Sequence, residues 1–250
     1  MEKTEKQKCN YGLVGKDISY SFSRGYFKKK FDNLGLDNCS YQNFDLQSIS
    51  EFPSIVSKNE NIKGLNVTIP YKEDVIQYLD HIDAAAQKIG AVNTIKPSKN
   101  GLIGFNTDAY GFEKSIEPHL KKQHKKALIL GTGGASKAVA FVLEELNIEF
   151  SFVSRSGKNK GYTYDQLSED IISEHTLIIN CSPVGTFPNI NEKPAIPYQS
   201  ISNQHLLFDL IYNPDETAFL LAGKANGAVI CNGYRMLEFQ AEKSWEIWNQ

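Results

Sequence analysis

The chain has 250 residues, 41% hydrophobic and 22% charged, the composition of a globular protein with room for one large domain or two small ones. A net charge of −2 gives no electrostatic reason to expect nucleic acid or an anionic membrane as partner, and no apolar run approaches the roughly 18 residues of a membrane span. The polar N-terminus lacks the apolar stretch of a signal peptide, and Cys9, Cys39, Cys181 and Cys231 are too dispersed for a disulfide frame or zinc site, so the expectation is a cytoplasmic protein with reduced thiols and no bound metal.

Tyr11-Gly12-Leu13-Val14-Gly15 reads as a first strand. Ser21, Ser23 and Arg24 then lead into a helix with Phe27, Phe31 and Leu34 on one face. Hydroxyls at a helix N-terminus cap it, or join its free N–H groups in cradling a carboxylate or phosphate; both readings stand. A strand over 40–46 and a short helical pattern over 48–58 follow. In Gly64-Leu65-Asn66-Val67-Thr68-Ile69-Pro70-Tyr71-Lys72, apolar Leu65, Val67 and Ile69 alternate with polar Asn66 and Thr68, the pattern of a half-buried strand. Pro70 should end it, and Lys72 should open a helix with Val75, Ile76, Leu79 and Ile82 on its apolar face. That places an amide, a hydroxyl and an amine together, with the ammonium at the positive pole of a macrodipole, an arrangement suited to proton transfer. The plain alternative is a solvated lysine offset by Glu73 and Asp74.

Strands over 91–95 and 101–105 complete an alternating strand–helix pattern, which implies an α/β unit with a mostly parallel sheet. Asn93 and Asp108 are expected where strands give way to loops, the edge at which open α/β sheets bind ligands. Asp108 also fits a helix N-cap, and the two roles are compatible. Pro118 should end the helix that follows, and the basic stretch 119–126 suits a solvated helix end and a domain boundary.

Ala127-Leu128-Ile129-Leu130 is a fully apolar strand followed at once by Gly131-Thr132-Gly133-Gly134-Ala135-Ser136-Lys137 and a helix. This is the strand, glycine turn and helix that a dinucleotide site requires. After the next strand, 148–153, NAD enzymes commonly place an acid for the ribose hydroxyls. Here Ser154-Arg155-Ser156-Gly157-Lys158-Asn159-Lys160 contains none, and Arg155, helped by Lys158 or Lys160, suits a 2′-phosphate: NADP rather than NAD. Further strands are expected over 175–180, 206–210 and 228–231, with a mobile insert over 186–203 and a helix over 217–225. Tyr212 and Gln240 are polar groups able to close over a substrate, and Trp245 and Trp248 on the last helix read as core.

In this order the segments resemble the shikimate dehydrogenase family over 11–240. The 64–72 stretch is similar to its GxNVTxPxK segment, Ala91-Val92-Asn93-Thr94 and Gly104-Phe105-Asn106-Thr107-Asp108 to its AVNT and GxNTD segments, and 131–135 to its GAGGA turn. Asn232-Gly233 through Met236-Leu237 to Gln240 is similar to its C-terminal motif. The resemblance implies an N-terminal α/β substrate domain with a mostly parallel sheet, 1–108 joined by the helix 233–250. It implies a Rossmann-like NADP-binding domain, 109–232, with the active site in the interdomain cleft. The implied activity is NADP-dependent reduction of 3-dehydroshikimate to shikimate in aromatic amino-acid biosynthesis, by a monomer or homodimer. Lys72 and Asp108 would be the catalytic pair. Ser21, Ser23 and Tyr212 would hold the substrate carboxylate, and Asn66, Thr68, Asn93 and Gln240 would surround its ring oxygens. Gly131, Thr132, Gly133, Gly134, Ala135, Ser154, Arg155, Ser156, Lys158, Gly233 and Met236 would hold NADP. Departures are Arg24 where the family has proline, Thr132 for alanine, Ser154-Arg155-Ser156 for NRT and Asn159 for a second arginine, the last two implying weaker NADP binding unless Lys158 or Lys160 compensates. Three rivals stand beside it: a quinate/shikimate dehydrogenase with relaxed cofactor or substrate use, a nucleotide-binding regulator without catalysis, and a related Rossmann dehydrogenase acting on a folate or other substrate with a similar lysine, against which the paired serines and Tyr212 weigh.

Overall fold

In the computed structural model the described residues are 8–19, 21–59, 61–156 and 161–250. The chain divides into two compact units, Met1–Thr107 with Ala241–Gln250, and Asp108–Gln240. Among the described residues no helix is long and apolar enough to cross a membrane.

The first unit is built on a six-stranded sheet. Its strands are β1 (Cys9–Gly15), β2 (Cys39–Asp45), β3 (Ile62–Val67), β4 (His81–Ile82), β5 (Thr94–Ser98) and β6 (Gly101–Phe105), in the spatial order β2-β1-β3-β5-β6-β4. β1 pairs in parallel with β2 and β3, and β4 with β6, while β5 runs antiparallel to both neighbours. The period-2 alternation of β1 sorts its side chains onto two faces. Tyr11 and Leu13 join a cluster with Phe27 and Phe31 of α1 (Phe22–Leu34), Tyr41, and Ile247 and Trp248 of the last helix. Val14 faces the other way, into Leu46, Phe52, Leu65, Val67, Tyr71, Val75 and Ile95. Leu34, expected beside Phe27 and Phe31, is exposed: Gly35 ends the helix in a left-handed cap, and Leu36 beyond that turn packs on the cluster instead.

Two further expectations are corrected here. Lys72 does not open an α-helix: the chain turns over 69–73, a 3₁₀ helix spans Asp74–Tyr78, and Ile82 belongs to β4. Pairing prevails over local helical pattern, because Asp80 exchanges hydrogen bonds with Leu102 through its backbone N–H (3.0 Å) and its carboxylate (2.7 Å), tying 80–82 to β6. A five-residue 3₁₀ turn carries no long macrodipole, so Lys72 does not sit at the positive pole of one. Asn93 likewise precedes a strand rather than ending one; β5 runs antiparallel, so its start lies at the edge where β1 and β3 end.

The second unit contains an all-parallel five-stranded sheet. β7 (Lys126–Leu130), β8 (Glu149–Val153), β9 (Leu177–Asn180), β10 (Leu206–Asp209) and β11 (Val229–Cys231) lie in the order β11-β10-β9-β7-β8. Ala127 to Leu130 are fully buried, as a strand covered on both faces must be. The helices α2 (Phe52–Lys58) and α3 (Ala84–Ile89) belong to the first unit; here α4 (Asp108–Ile116) opens the unit, α5 (Gly134–Glu145) follows β7, α6 (Glu169–Glu174) precedes β9 and α7 (Ala218–Ala225) precedes β11. The final helix, α8 (Tyr234–Asn249), starts here and ends in the first unit. The 186–203 stretch, expected as a mobile insert, carries apolar anchors: Ile196 and Ile201 are buried in the core, and Tyr198 packs on it while donating to Pro194 O at 2.8 Å.

Candidate active site

In the first unit the polar residues gather where β1 and β3 end. Asn66, the penultimate residue of β3, is their hub. Its Oδ1 accepts from Tyr41 Oη at 2.8 Å, which fixes the sense of the amide. Its Nδ2 then faces Ser244 Oγ at 2.9 Å, Thr94 Oγ1 at 3.1 Å and Asn93 O at 3.2 Å, so three protein acceptors compete for two hydrogens. Asn93 Oδ1 accepts from the Thr107 N–H at 2.7 Å, fixing the residue immediately before Asp108. Asn93, Thr94, Thr107 and Ser244 are all buried, which is tolerable only because they satisfy one another.

Lys72 lies beside this cluster in the chain path. Its carbonyl accepts from Val92 N–H at 2.7 Å, Val67 N–H donates to Asn93 O at 2.9 Å, and its side chain is half-buried. Thr68 is half-buried, its N–H donating to Val14 O at 2.9 Å. Ser21 is the N-cap of α1 but makes no side-chain cap bond, and Ser23 lies within the first turn in hydrogen-bond contact with Tyr41. Burial pushes the Tyr41 phenol far up, with Ser23 acting against it, so Tyr41 stays a neutral donor to Asn66. Arg24 is exposed in the same turn.

In the second unit Asp108 is buried as the first residue of α4. The glycine turn sits between β7 and α5, and β7 lies between β8 and β9, where the strand order reverses. Open α/β sheets bind ligands at such a switch point, at the carboxyl ends of the strands. Gly131 has φ +110°, a conformation that side chains rarely adopt, and a Cβ there would stand 3.2 Å from the backbone of Cys181 and Ser182. A Cβ on Gly133 would meet nothing within 4 Å, so the turn is open on that side. Gly133 offers α5 no side-chain cap, leaving the first-turn N–H groups of Gly134 and Ala135 suited to an anion. Thr132 is half-buried in the turn.

After β8, Ser154 Oγ is buried with no hydrogen-bond partner among the described residues. Arg155 and Ser156 beside it are exposed, and Arg155 lines a cavity with Tyr164, Asp165 and Ala195. A buried hydroxyl without a partner among the described residues, next to an exposed guanidinium, fits the phosphate end of a dinucleotide. Lys158, with Asn159 and Lys160, lies outside the described residues. Gly233 N–H donates to Ile211 O at 3.1 Å, next to half-buried Tyr212, while Met236 is buried and Gln240 half-buried on α8.

Tyr41, Thr94, Thr107, Ser244 and Asp209 are residues to which the sequence patterns assign no role. Thr94 and Thr107 stand inside quoted motifs, and Ser244 is four residues beyond Gln240, hence on the same helix face, which was the available signal. Tyr41 carries none.

A family model described as the shikimate dehydrogenase substrate binding domain matches residues 13–95. The chain is 38% identical to a shikimate dehydrogenase (NADP(+)) of Clostridium botulinum over 252 residues, covering 95% of each chain. Shikimate dehydrogenase 1 of Peptoclostridium difficile superposes with a TM-score of 0.82 at 39% identity, over 96% of this chain and 91% of that one. The Thermus thermophilus shikimate 5-dehydrogenase, solved with NADP(H) and shikimate, gives a TM-score of 0.85 at 29% identity, over 96% and 93%. With the glycine turn at the switch point of one unit and the amide–hydroxyl cluster at the sheet edge of the other, the chain belongs to the shikimate dehydrogenase family.

Proposed function

We propose that this chain catalyses the reversible, NADP-dependent reduction of 3-dehydroshikimate to shikimate in aromatic amino-acid biosynthesis. The observation that carries the reading is the convergence of Asn66, Asn93 and Thr107 in one hydrogen-bonded cluster, with Thr107 next to Asp108 in the chain. Residues 1–108 with the helix 233–250 form the substrate domain, and 109–232 the nucleotide domain. The chain acts in the cytoplasm as a monomer or homodimer; the location is supported by four cysteines that form no disulfide among the described residues.

NADPH, when bound, supplies the hydride, and Gly131 to Ala135, Ser154, Arg155, Ser156, Lys158, Gly233 and Met236 are the residues that hold it. Reducing a ring ketone places negative charge on its oxygen, and the Lys72 ammonium stabilises that charge and delivers the proton. Asp108 orients the amine and compensates its charge. Ser21, Ser23 and Tyr212 hold the substrate carboxylate, while Asn66, Thr68, Asn93 and Gln240 fix the ring hydroxyls by hydrogen bonds that a substrate lacking them would leave unmade. Initial rates with 3-dehydroshikimate and 3-dehydroquinate, each against NADPH and NADH, test the assignment. Turnover should be fastest with 3-dehydroshikimate and NADPH; equal rates with both ketones would make the chain a quinate/shikimate dehydrogenase, and no turnover with either would make it a regulator.

A further inference from the structure

Ser244 sits in the interior of α8 with no exposed surface, among Ala241, Ile247 and Trp248, which pack into an apolar and aromatic cluster. An alanine would fill that position with better helix propensity and without a polar atom to desolvate. The hydroxyl is explained instead by what it reaches: Thr94 Oγ1 at 2.8 Å, Asn66 Nδ2 at 2.9 Å and Thr107 Oγ1 at 3.3 Å. These partners come from the end of β3, the start of β5 and the residue before α4, three segments that Ser244 ties together alongside Asn93 and Thr94.

We infer that Ser244 is a positioning residue, whose hydroxyl sets the Asn66 amide and the Thr107 hydroxyl in the orientation the substrate meets. Asn66 depends on it most directly. With Oδ1 committed to Tyr41, the amide nitrogen must point inward, and Ser244 is its nearest acceptor. Thr107 depends on it second, at the longer distance, and Thr107 also hydrogen-bonds Asn93. Losing the Ser244 hydroxyl therefore loosens ground-state recognition of the ring more than the chemical step. The inference rests on the proposed function, since it names the ring ketone as the ligand.

The test is steady-state kinetics of Ser244→Ala with 3-dehydroshikimate and NADPH, alongside thermal melts. KM for the ketone should rise roughly tenfold, the value of one hydrogen bond, with kcat and KM for NADPH little changed. Ser244→Cys, which keeps the shape with a weak donor, should fall between wild type and alanine. In a Thr94→Val background, which removes the closest partner of Ser244, the alanine substitution should cost clearly less than it does alone. A ketone KM unchanged in Ser244→Ala while the wild type turns over would overturn the inference and leave the function standing, as would full additivity with Thr94→Val. A wild type that turns over neither ketone would remove both.

Discussion

Asp209 ends β10 with no exposed surface. Its Oδ1 accepts from Asn180 Nδ2 and from Ile211 N–H, both at 3.0 Å, and its Oδ2 from Thr217 Oγ1 at 2.6 Å. Burial raises the carboxyl pKa from 3.8 to about 6, and the three donors, Thr217 foremost, only partly oppose it. Below pH 3.8 the group is protonated in both folded and unfolded chains and costs nothing. As pH rises through about 6 the unfolded chain ionises first, so the native state loses stability, up to about 3 kcal/mol by the time ionisation is complete. Asp209→Asn removes that cost with little change of shape: the amide oxygen can keep Asn180 and Ile211, and the amide nitrogen can donate to Thr217, whose hydroxyl turns to accept. Urea unfolding of both proteins between pH 4.5 and 7.5, followed by circular dichroism, measures the gap. Both tryptophans, Trp245 and Trp248, belong to the first unit, so their fluorescence reports that unit separately. The variant should gain on the wild type as pH rises and level off above pH 6.5. A gap that stays flat would show that the three donors, rather than burial, set the charge of Asp209.

Lys72→Ala should cut kcat far more than it raises the ketone KM, because proton delivery belongs to the transition state; intact kcat with a raised KM would assign Lys72 to binding. Arg155→Ala should raise KM for NADPH by about tenfold or more while leaving NADH unchanged, and equal losses with both would separate Arg155 from the 2′-phosphate. Gly64→Ala would put a Cβ 2.3 Å from the Trp248 indole, which donates from Nε1 to Ile95 O at 3.1 Å. Displacing the ring should cost about 1–3 kcal/mol, read as a lower urea midpoint by tryptophan fluorescence; an unchanged midpoint would mean that the helix end yields freely.

What was legible in the sequence follows the range of the interactions involved. The glycine turn could be read because strand, turn and helix are contiguous: Ala127 to Leu130 are apolar throughout, and Gly131 needs its positive φ whatever surrounds it. The Lys72 segment was misread because 74–82 carries a helical spacing that the pairing of β4 with β6 overrides. Ser244 is hard to read as a site residue because its partner Asn66 is 178 residues away, and the one local signal is its i+4 spacing from Gln240. Tyr41 is the same case at 25 residues, an aromatic that reads as core and is core, yet aims its hydroxyl at Asn66.

The mixed sheet gives the physical reason why this cluster exists at all. In a parallel sheet each strand that ends at the ligand edge needs a long crossover before the next can do so. The β5–β6 hairpin needs only two residues between its strands, and its reversal places the start of β5 and the end of β6 at one edge, Thr94 opposite Phe105. Asn93 and Thr107, 14 residues apart, thereby come within 2.7 Å, and β3 supplies Asn66 across the antiparallel pair at Thr94. Asn93, Thr94, Thr107 and Ser244 are buried in this cluster, so each depends on the others for its hydrogen bonds. A single hydroxyl lost anywhere in it should consequently be felt at Asn66, which is why the Ser244 and Thr94 substitutions are expected to overlap rather than add.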